Sequence, residues 1–102
     1  MTRMLFAAVV AAVAIVLGGA PSRAQNAYIT NFFSNDVSVI ATPSNTVIAT
    51  IPVGSSPTGV AVTPDGSKVY VANDGSNNVS AITTSSNTVT ATIPVGSLPT
   101  GV

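Results

Sequence analysis

The sequence contains no cysteine, no histidine and no tryptophan, and only six of its 102 residues are charged. Without cysteine there are no disulfides, no thiol nucleophile and no lipid attachment at a leader cysteine. Without histidine there is no imidazole metal site and no histidine-based catalytic triad. The composition therefore predicts a protein that is not an enzyme, with no cofactor and with no catalytic, cofactor-binding or metal-binding residues.

The charges that remain are too few and too scattered to indicate a charged partner. Once the leader described below is removed, Lys68 stands against three aspartates, Asp36, Asp65 and Asp74, for a net charge of −2. A nucleic-acid interface needs a clustered basic face, and an electrostatic membrane anchor needs a polybasic segment. The sequence therefore argues against both. Ser, Thr and Asn supply the polarity instead, a composition typical of strand surfaces and turns.

Residues 1–24 have the pattern of a secretory signal peptide. Arg3 precedes an apolar run over 5–17, and Ser22 and Ala24 place small residues before the expected cleavage point. The run is shorter than the about 20 residues of a membrane-spanning helix. We expect a signal-peptide helix, cleavage after Ala24, and a periplasmic, secreted or cell-surface protein with no stable membrane anchor after processing. The alternative is an uncleaved amphipathic or anchoring helix.

The rest of the chain is a tandem repeat. When each residue from Tyr28 onward is compared with the residue 42 positions later, 23 of 33 pairs are identical. The segment 51–60 returns almost unchanged as 93–102. A period of about 40 to 45 residues without a helical pattern is typical of a β-propeller blade, and it differs from helical repeats of about 33 to 34 residues.

Short β-branched runs alternate with turn clusters at about ten-residue spacing, which indicates an all-β fold. The expected strands are 27–31, 37–41, 46–53, 58–63, 68–73, 79–84 and 88–95. Proline removes a ladder donor, so Pro52 and Pro94 predict that the fourth strand of each unit is an outer, edge strand. The first strand of the unit, 58–62, is then the inner one.

The strands group into four-stranded antiparallel blades. Weak alternation in the apolar runs predicts burial on both faces, as in a blade between two others. We expect about two blades, an incomplete propeller: 25–56 as the last three strands of one blade, 57–98 as a complete blade, and 99–102 as the start of a further one. The tight connection between two of these strands is expected at Pro64-Asp65-Gly66-Ser67.

Several segments together resemble the YVTN-type β-propeller repeat. They are Tyr-Ile-Thr-Asn at 28–31, Tyr-Val-Ala-Asn at 70–73, the segment 57–66, and Ile-Pro-Val-Gly at 51–54 and 93–96. The resemblance covers essentially all of the mature chain and implies an exported or cell-surface protein whose complete domain is a ring of about seven blades. The tryptophan-containing WD40 repeat fits less well. The departure is length, so the resemblance implies a fragment or truncated product.

Three segments resemble chemical sites only in part. The spacing in 54–59 is that of a phosphate loop, but Val60 follows where a lysine is needed. The segment 73–78 is rich in oxygen ligands but has no ordered carboxylate spacing for calcium. Asp65 has no second carboxylate placed to pair with it for acid–base work. All three are interpreted as turns.

Phe32 and Phe33 are the candidate partner contact. The second repeat has Asp74 and Gly75 at these places. Antiparallel order puts this bend at the same end of the blade as the passage 54–57 between units. An exposed aromatic pair there would contact a protein or a surface ligand. The alternative is that the pair packs against a neighbouring blade or the leader-proximal segment.

The sequence thus favours a non-catalytic interaction or surface module, with self-association through exposed blade faces and edges as a possibility. Two alternatives remain open. Several copies would close a ring head to tail by lending residues 99–102 as part of a strand. Otherwise the chain is a fragment of a propeller enzyme such as a lactonase, whose central site the full ring would supply.

Overall fold

In a computed structural model, which describes residues 13–15 and 26–102, the chain forms two antiparallel β-sheets. The first sheet contains β1 (Val13–Ile15), β2 (Asn26–Asn31), β3 (Asp36–Ala41) and β4 (Thr46–Pro52), in that order. The second sheet contains β5 (Pro57–Val62), β6 (Lys68–Asn73), β7 (Asn78–Thr83) and β8 (Thr88–Pro94), in that order. The described residues include no helix of the length and apolarity that a bilayer crossing demands. The predicted all-β fold is confirmed.

The seven predicted strands are all present, and no strand end differs from the prediction by more than one residue. The eighth, β1, was not predicted, because Val13–Ile15 lies inside the apolar run assigned to the leader. The expected signal-peptide helix over 1–24 falls outside the described residues, apart from these three, which form a strand.

The short strand β1 takes the place of an inner strand. Val13 pairs with Ile29 of β2, and in the second sheet Val60 pairs with Val71, the repeat equivalent of Ile29. The next residue of each strand is an alanine, and each alanine pairs with a tyrosine. The backbone of β1 therefore lies on β2 in the register that β5 has on β6, although the two segments are 47 residues apart and the repeat is 42.

The prolines lie where the sequence places them. Pro52 ends β4 and Pro94 ends β8, and each of these strands forms one edge of its sheet. The two sheets approach each other closely along β1, β2 and β5 and only slightly along β4 and β8. Two blades that converge on one side and diverge on the other are the arrangement found in a propeller.

The hydrophobic core lies between the two sheets. Its buried members are Tyr28, Val37, Val39 and Ile51 of the first sheet and Val69, Val71 and Ile82 of the second. Full burial of an aliphatic or aromatic side chain stabilises a fold by about 1.5–3 kcal/mol. Because both sheets contribute to the same cluster, each one depends on the other for burial of its apolar face.

Four of the turns share one construction, which ends in Ser-Asn. The asparagine has positive φ in each: Asn35 (61°), Asn45 (57°), Asn77 (56°) and Asn87 (55°). Asparagine tolerates this left-handed conformation better than most residues. Its N–H bonds to the carbonyl four residues earlier at 2.7–3.0 Å. The preceding serine bonds to the side chain two residues later at 2.7–3.0 Å.

Candidate functional site

Three loops meet at one end of the sheets, which we call the loop end: the β2–β3 turn (32–35), the β4–β5 passage (53–56) and the β6–β7 turn (74–77). The N–H of Val53 donates to the carbonyl of Asn35 at 3.1 Å, which joins the first turn to the passage. The N–H of Gly75 donates to the carbonyl of Ser55 at 2.9 Å, which joins the passage to the second turn. The shared end predicted from antiparallel order is confirmed.

The passage is held from both sides by further hydrogen bonds. The N–H of Ser56 donates to Oδ1 of Asn35 at 2.9 Å. The carbonyl of Ser56 accepts a hydrogen bond from the N–H of Asp74, in the second turn, at 2.9 Å. In the same turn, Oγ of Ser76 accepts a hydrogen bond from the N–H of Ser55 at 3.1 Å. The passage is therefore fixed by hydrogen bonds to both turns.

Gly54 lies directly against side chains of the second sheet and its β6–β7 turn. A Cβ atom at this position would overlap Oγ of Ser76 and lie 2.8 Å from Nδ2 of Asn73. That amide is itself fixed, since Nδ2 of Asn73 donates to Oδ1 of Asn78 at 2.8 Å and to Oγ of Ser80 at 2.9 Å. Only glycine fits the passage at this distance.

The same amide contact recurs in the first repeat. Nδ2 of Asn31 donates to Oδ1 of Asp36 at 2.8 Å and to Oγ of Ser38 at 2.9 Å. The asparagine that ends the Tyr-x-x-Asn motif therefore ties the end of the second strand of each unit to the start of the third. Its role in both repeats is structural.

Phe32 and Phe33 lie on the loop end and contact each other edge to face. Their ring centroids are 5.0 Å apart and their planes meet at 83°. Phe32 is half-buried, whereas 82% of Phe33 is exposed. Exposed aromatic side chains on a fixed loop are common at protein interfaces. The chain can therefore offer an apolar contact at this end without rearranging its backbone.

The remaining segments singled out in the sequence have local roles in the structure. Residues 54–59 form the passage and the beginning of β5, and 73–78 form the β6–β7 turn with its amide contact. Asp65 accepts hydrogen bonds from the N–H of Ser67 at 3.0 Å and from the hydroxyls of Thr63 and Ser67 at 2.8 Å each. These bonds, the Ser67 N–H first, lower the pKa of Asp65 to about 2.

A cleft of about 220 Å³ lies between the end of β4 with the passage and the second sheet. Its lining includes Val53, Asn78, Ser80 and Val89. Small-molecule sites usually have about 300–1,000 Å³ and enclose most of the ligand. The cleft is open and smaller than that, so it does not have the form of a typical small-molecule site.

Comparison with known proteins identifies the fold and no closer relationship. No family model matches the chain, and no curated protein matches it. Among solved structures, Kuenenia stuttgartiensis hydrazine synthase superposes with a TM-score of 0.79 and 27% identity over 87% of this chain and 24% of that one. Apo AztD from Citrobacter koseri superposes with a TM-score of 0.68 and 20% identity over 87% of this chain and 26% of that one.

Both neighbours are β-propeller-type proteins. With the two convergent four-stranded sheets, they define the class of this chain as a β-propeller of fragment-like size. The chain spans about a quarter of the length of the two structures it matches.

Proposed function

We propose that the chain is an exported β-propeller repeat protein of the YVTN type, part of a larger propeller, which acts by binding a partner and does not catalyse a reaction. The propeller fold supports this proposal. So does the regular repeat, whose polar turn residues are engaged in turns and in the passage and not in a chemical site.

The observation that carries the proposal is the exposed aromatic pair at the loop end. Phe33 is the most exposed of the large apolar side chains in residues 26–102, and the backbone beneath it is held by the Asn35 contacts to the passage. Its repeat equivalent is Gly75. An aromatic residue that replaces glycine in an otherwise closely similar unit adds apolar surface that the fold does not bury, and such surface favours a partner contact.

Binding is tested with fluorescently labelled protein and intact cells that produce it. We expect saturable binding that falls about tenfold in Phe33→Gly, because a buried aromatic contact contributes more than about 1.4 kcal/mol. Ile48→Thr, which gives an exposed residue of the outer strand β4 the side chain of its repeat equivalent Thr90, serves as the control. Equal binding by wild type and Phe33→Gly would remove the aromatic pair from the interface.

Export is tested separately. Expression with the native leader should give a mature protein that begins at Gln25 and lies outside the cytoplasm, as measured by intact-mass spectrometry after fractionation. A full-length mass in the cytoplasmic fraction would contradict export without affecting the binding result.

A catalytic alternative is favoured by one comparison, the likeness to a structure named hydrazine synthase. A propeller therefore occurs in a protein named for an enzymatic activity. Turnover by the purified chain, assayed first with simple lactones, would support the alternative and contradict the binding proposal.

A further inference from the structure

Identical residues of the two repeats differ in burial, and the difference identifies a surface. Ile51 is 3% exposed, whereas its repeat equivalent Ile93 is 41% exposed. Val53 is half-buried beside the second sheet, whereas its equivalent Val95 is 42% exposed. The outward face of the second sheet therefore repeats the face that the first sheet buries at the junction between the two sheets.

The outward face of the first sheet shows the reverse relationship. Val89 of β8 is half-buried and packs against the core, whereas its equivalent Val47 on β4 is 59% exposed. The two outward faces are thus copies of the two sides of one internal junction. Faces that are complementary within the chain are complementary between two chains.

The passage contacts define how the junction is made at the loop end. The carbonyls of Ser55 and Ser56 accept from Gly75 and Asp74, and Oγ of Ser56 lies 3.0 Å from the place that a Cβ on Gly75 would occupy. The equivalent second passage is 95–98. In that passage Leu98 replaces Ser56, and 67% of its surface is exposed.

At the loop end, the polar or small residues on both sides of the internal junction are replaced by apolar residues at the equivalent positions of the two outward faces. Leu98 replaces Ser56 on the passage side, and Phe32 and Phe33 replace Asp74 and Gly75 on the turn side. Repeating the internal junction between two chains brings Leu98 of one chain onto Phe33 of the next. The two exposed apolar side chains at the loop end thereby cover each other.

We propose that the partner of the Phe32–Phe33 site is a second copy of this chain, which docks head to tail with its second passage and the outward face of its second sheet on the first copy's β2–β3 turn and first sheet. This inference rests on the binding role proposed above and names the partner. Each copy contributes two sheets, so two, three or four copies complete a ring of about four to eight blades.

The polar groups of the junction are preserved for this contact. Ser97 and Ser34 are identical to Ser55 and Ser76, which share a hydrogen bond within the chain at 3.1 Å. The N–H of Ser97 therefore meets the partner's Ser34. The Cβ of Phe33 requires the passage facing it to shift by a few tenths of an ångström, since a Cβ at Gly75 lies 3.0 Å from Cβ of Ser55.

The test uses the protein expressed with its own leader, with the processed mass established first, and sedimentation velocity over a concentration series. We expect reversible association that weakens about tenfold in Leu98→Ser and in Phe33→Gly, because each change removes one buried apolar side chain. Circular dichroism of each variant reports whether the fold is retained.

A matched exchange makes the test specific. The triple variant Leu98→Ser, Phe32→Asp, Phe33→Gly rebuilds the internal Ser56 and Asp74-Gly75 pairing between chains, so it should associate more strongly than either single variant. If the triple variant loses as much association as the two single variants Leu98→Ser and Phe33→Gly lose together, Leu98 and Phe33 do not contact each other directly.

Gly96→Ala probes the junction without touching the folded chain. No atom lies within 4 Å of a Cβ at Gly96, whereas one at Gly54, its equivalent, overlaps Ser76. The variant should fold normally and fail to associate. A wild-type protein that stays monomeric at high micromolar concentration overturns the proposal. So does assembly that Gly96→Ala leaves unchanged, or assembly that Phe33→Gly strengthens, since Phe33 would then block the contact.

The outcomes separate this inference from the binding role. A monomer that still binds cells through Phe33 contradicts the second copy as the partner and leaves the binding role standing. A monomer that also shows no Phe33-dependent binding to cells contradicts the binding role itself.

Discussion

Oδ1 of Asn35 accepts a hydrogen bond from the N–H of Ser56 at 2.9 Å, and Oδ1 of Asn77 accepts one from the N–H of Leu98 at the same distance. The asparagine of the turn between the second and third strands of each unit thus holds the passage that follows the outer strand of the same unit. Because Ser56 and Leu98 also have positive φ, at 54° and 53°, the contact fixes a backbone that non-glycine residues adopt only at a cost.

Replacement of Asn35 by alanine should destabilise the fold by about 2 kcal/mol, because alanine both loses the bond to Ser56 and pays for a left-handed backbone. Asn35→Gly keeps the conformational freedom and loses only the side-chain bond, so its cost should be about 1 kcal/mol. Urea denaturation measures both. Equal costs for alanine and glycine would show that the backbone at Asn35 relaxes on substitution.

Gly54→Ala should lower the free energy of unfolding by about 1–3 kcal/mol, the usual cost of overpacking a fixed site. A Cβ at Gly54 overlaps Oγ of Ser76, whereas nothing lies within 4 Å at the equivalent Gly96. Gly96→Ala is therefore the matched control, with an expected change close to zero for the monomer. Thermal melting at low protein concentration distinguishes the two variants.

Ile51 and Ile93 form a second matched pair. Ile51→Ala should cost about 2–5 kcal/mol, because it leaves a cavity in the shared core. Ile93→Ala should lower the free energy of unfolding of the monomer by clearly less, because Ile93 is 41% exposed. If the chains associate, the cost at Ile93 should rise with protein concentration, and the cost at Ile51 should change less.

We expect Asp65 to contribute to the pH dependence of stability. Its pKa lies at about 2, below the ordinary 3.8, because the Ser67 N–H, then the hydroxyl of Thr63 and that of Ser67, stabilise the carboxylate. A lowered pKa contributes stability that is present above the ordinary value and is lost as the pH falls from about 3.8 to about 2. Asp65→Asn should flatten this part of the melting-temperature profile. A profile that Asp65→Asn leaves unchanged would show that the turn bonds do not persist in solution.

The strands β2–β4 and β6–β8 and their order follow from the sequence because the 42-residue repeat shows each of these elements twice. Pro52 and Pro94 also identify the outer strand, since a missing ladder donor is a local property. The Ser-Asn turns could have been recognised from their fourfold recurrence before a strand. The bond from Asn35 to the passage is a consequence of how loops meet, and no pattern within one loop shows it.

The sequence could not predict that equivalent residues of the two repeats differ in burial. Ile51 and Ile93 stand in almost identical segments, yet one is buried and the other is largely exposed, because burial depends on which neighbour faces each sheet. The strand β1 was missed for a related reason. Val13–Ile15 reads as part of an apolar leader run, and nothing local distinguishes such a run from an inner strand.

That strand has a consequence for the timing of assembly. In the repeat frame, Val102 of a docking copy would pair with Ile29, the residue that Val13 pairs with here. With Val13–Ile15 in place the chain therefore fills its own acceptor edge, and the proposed cleavage after Ala24 would leave that edge vacant. Under the proposed export, residues 13–15 would keep this edge covered until cleavage, so that copies would join only afterwards.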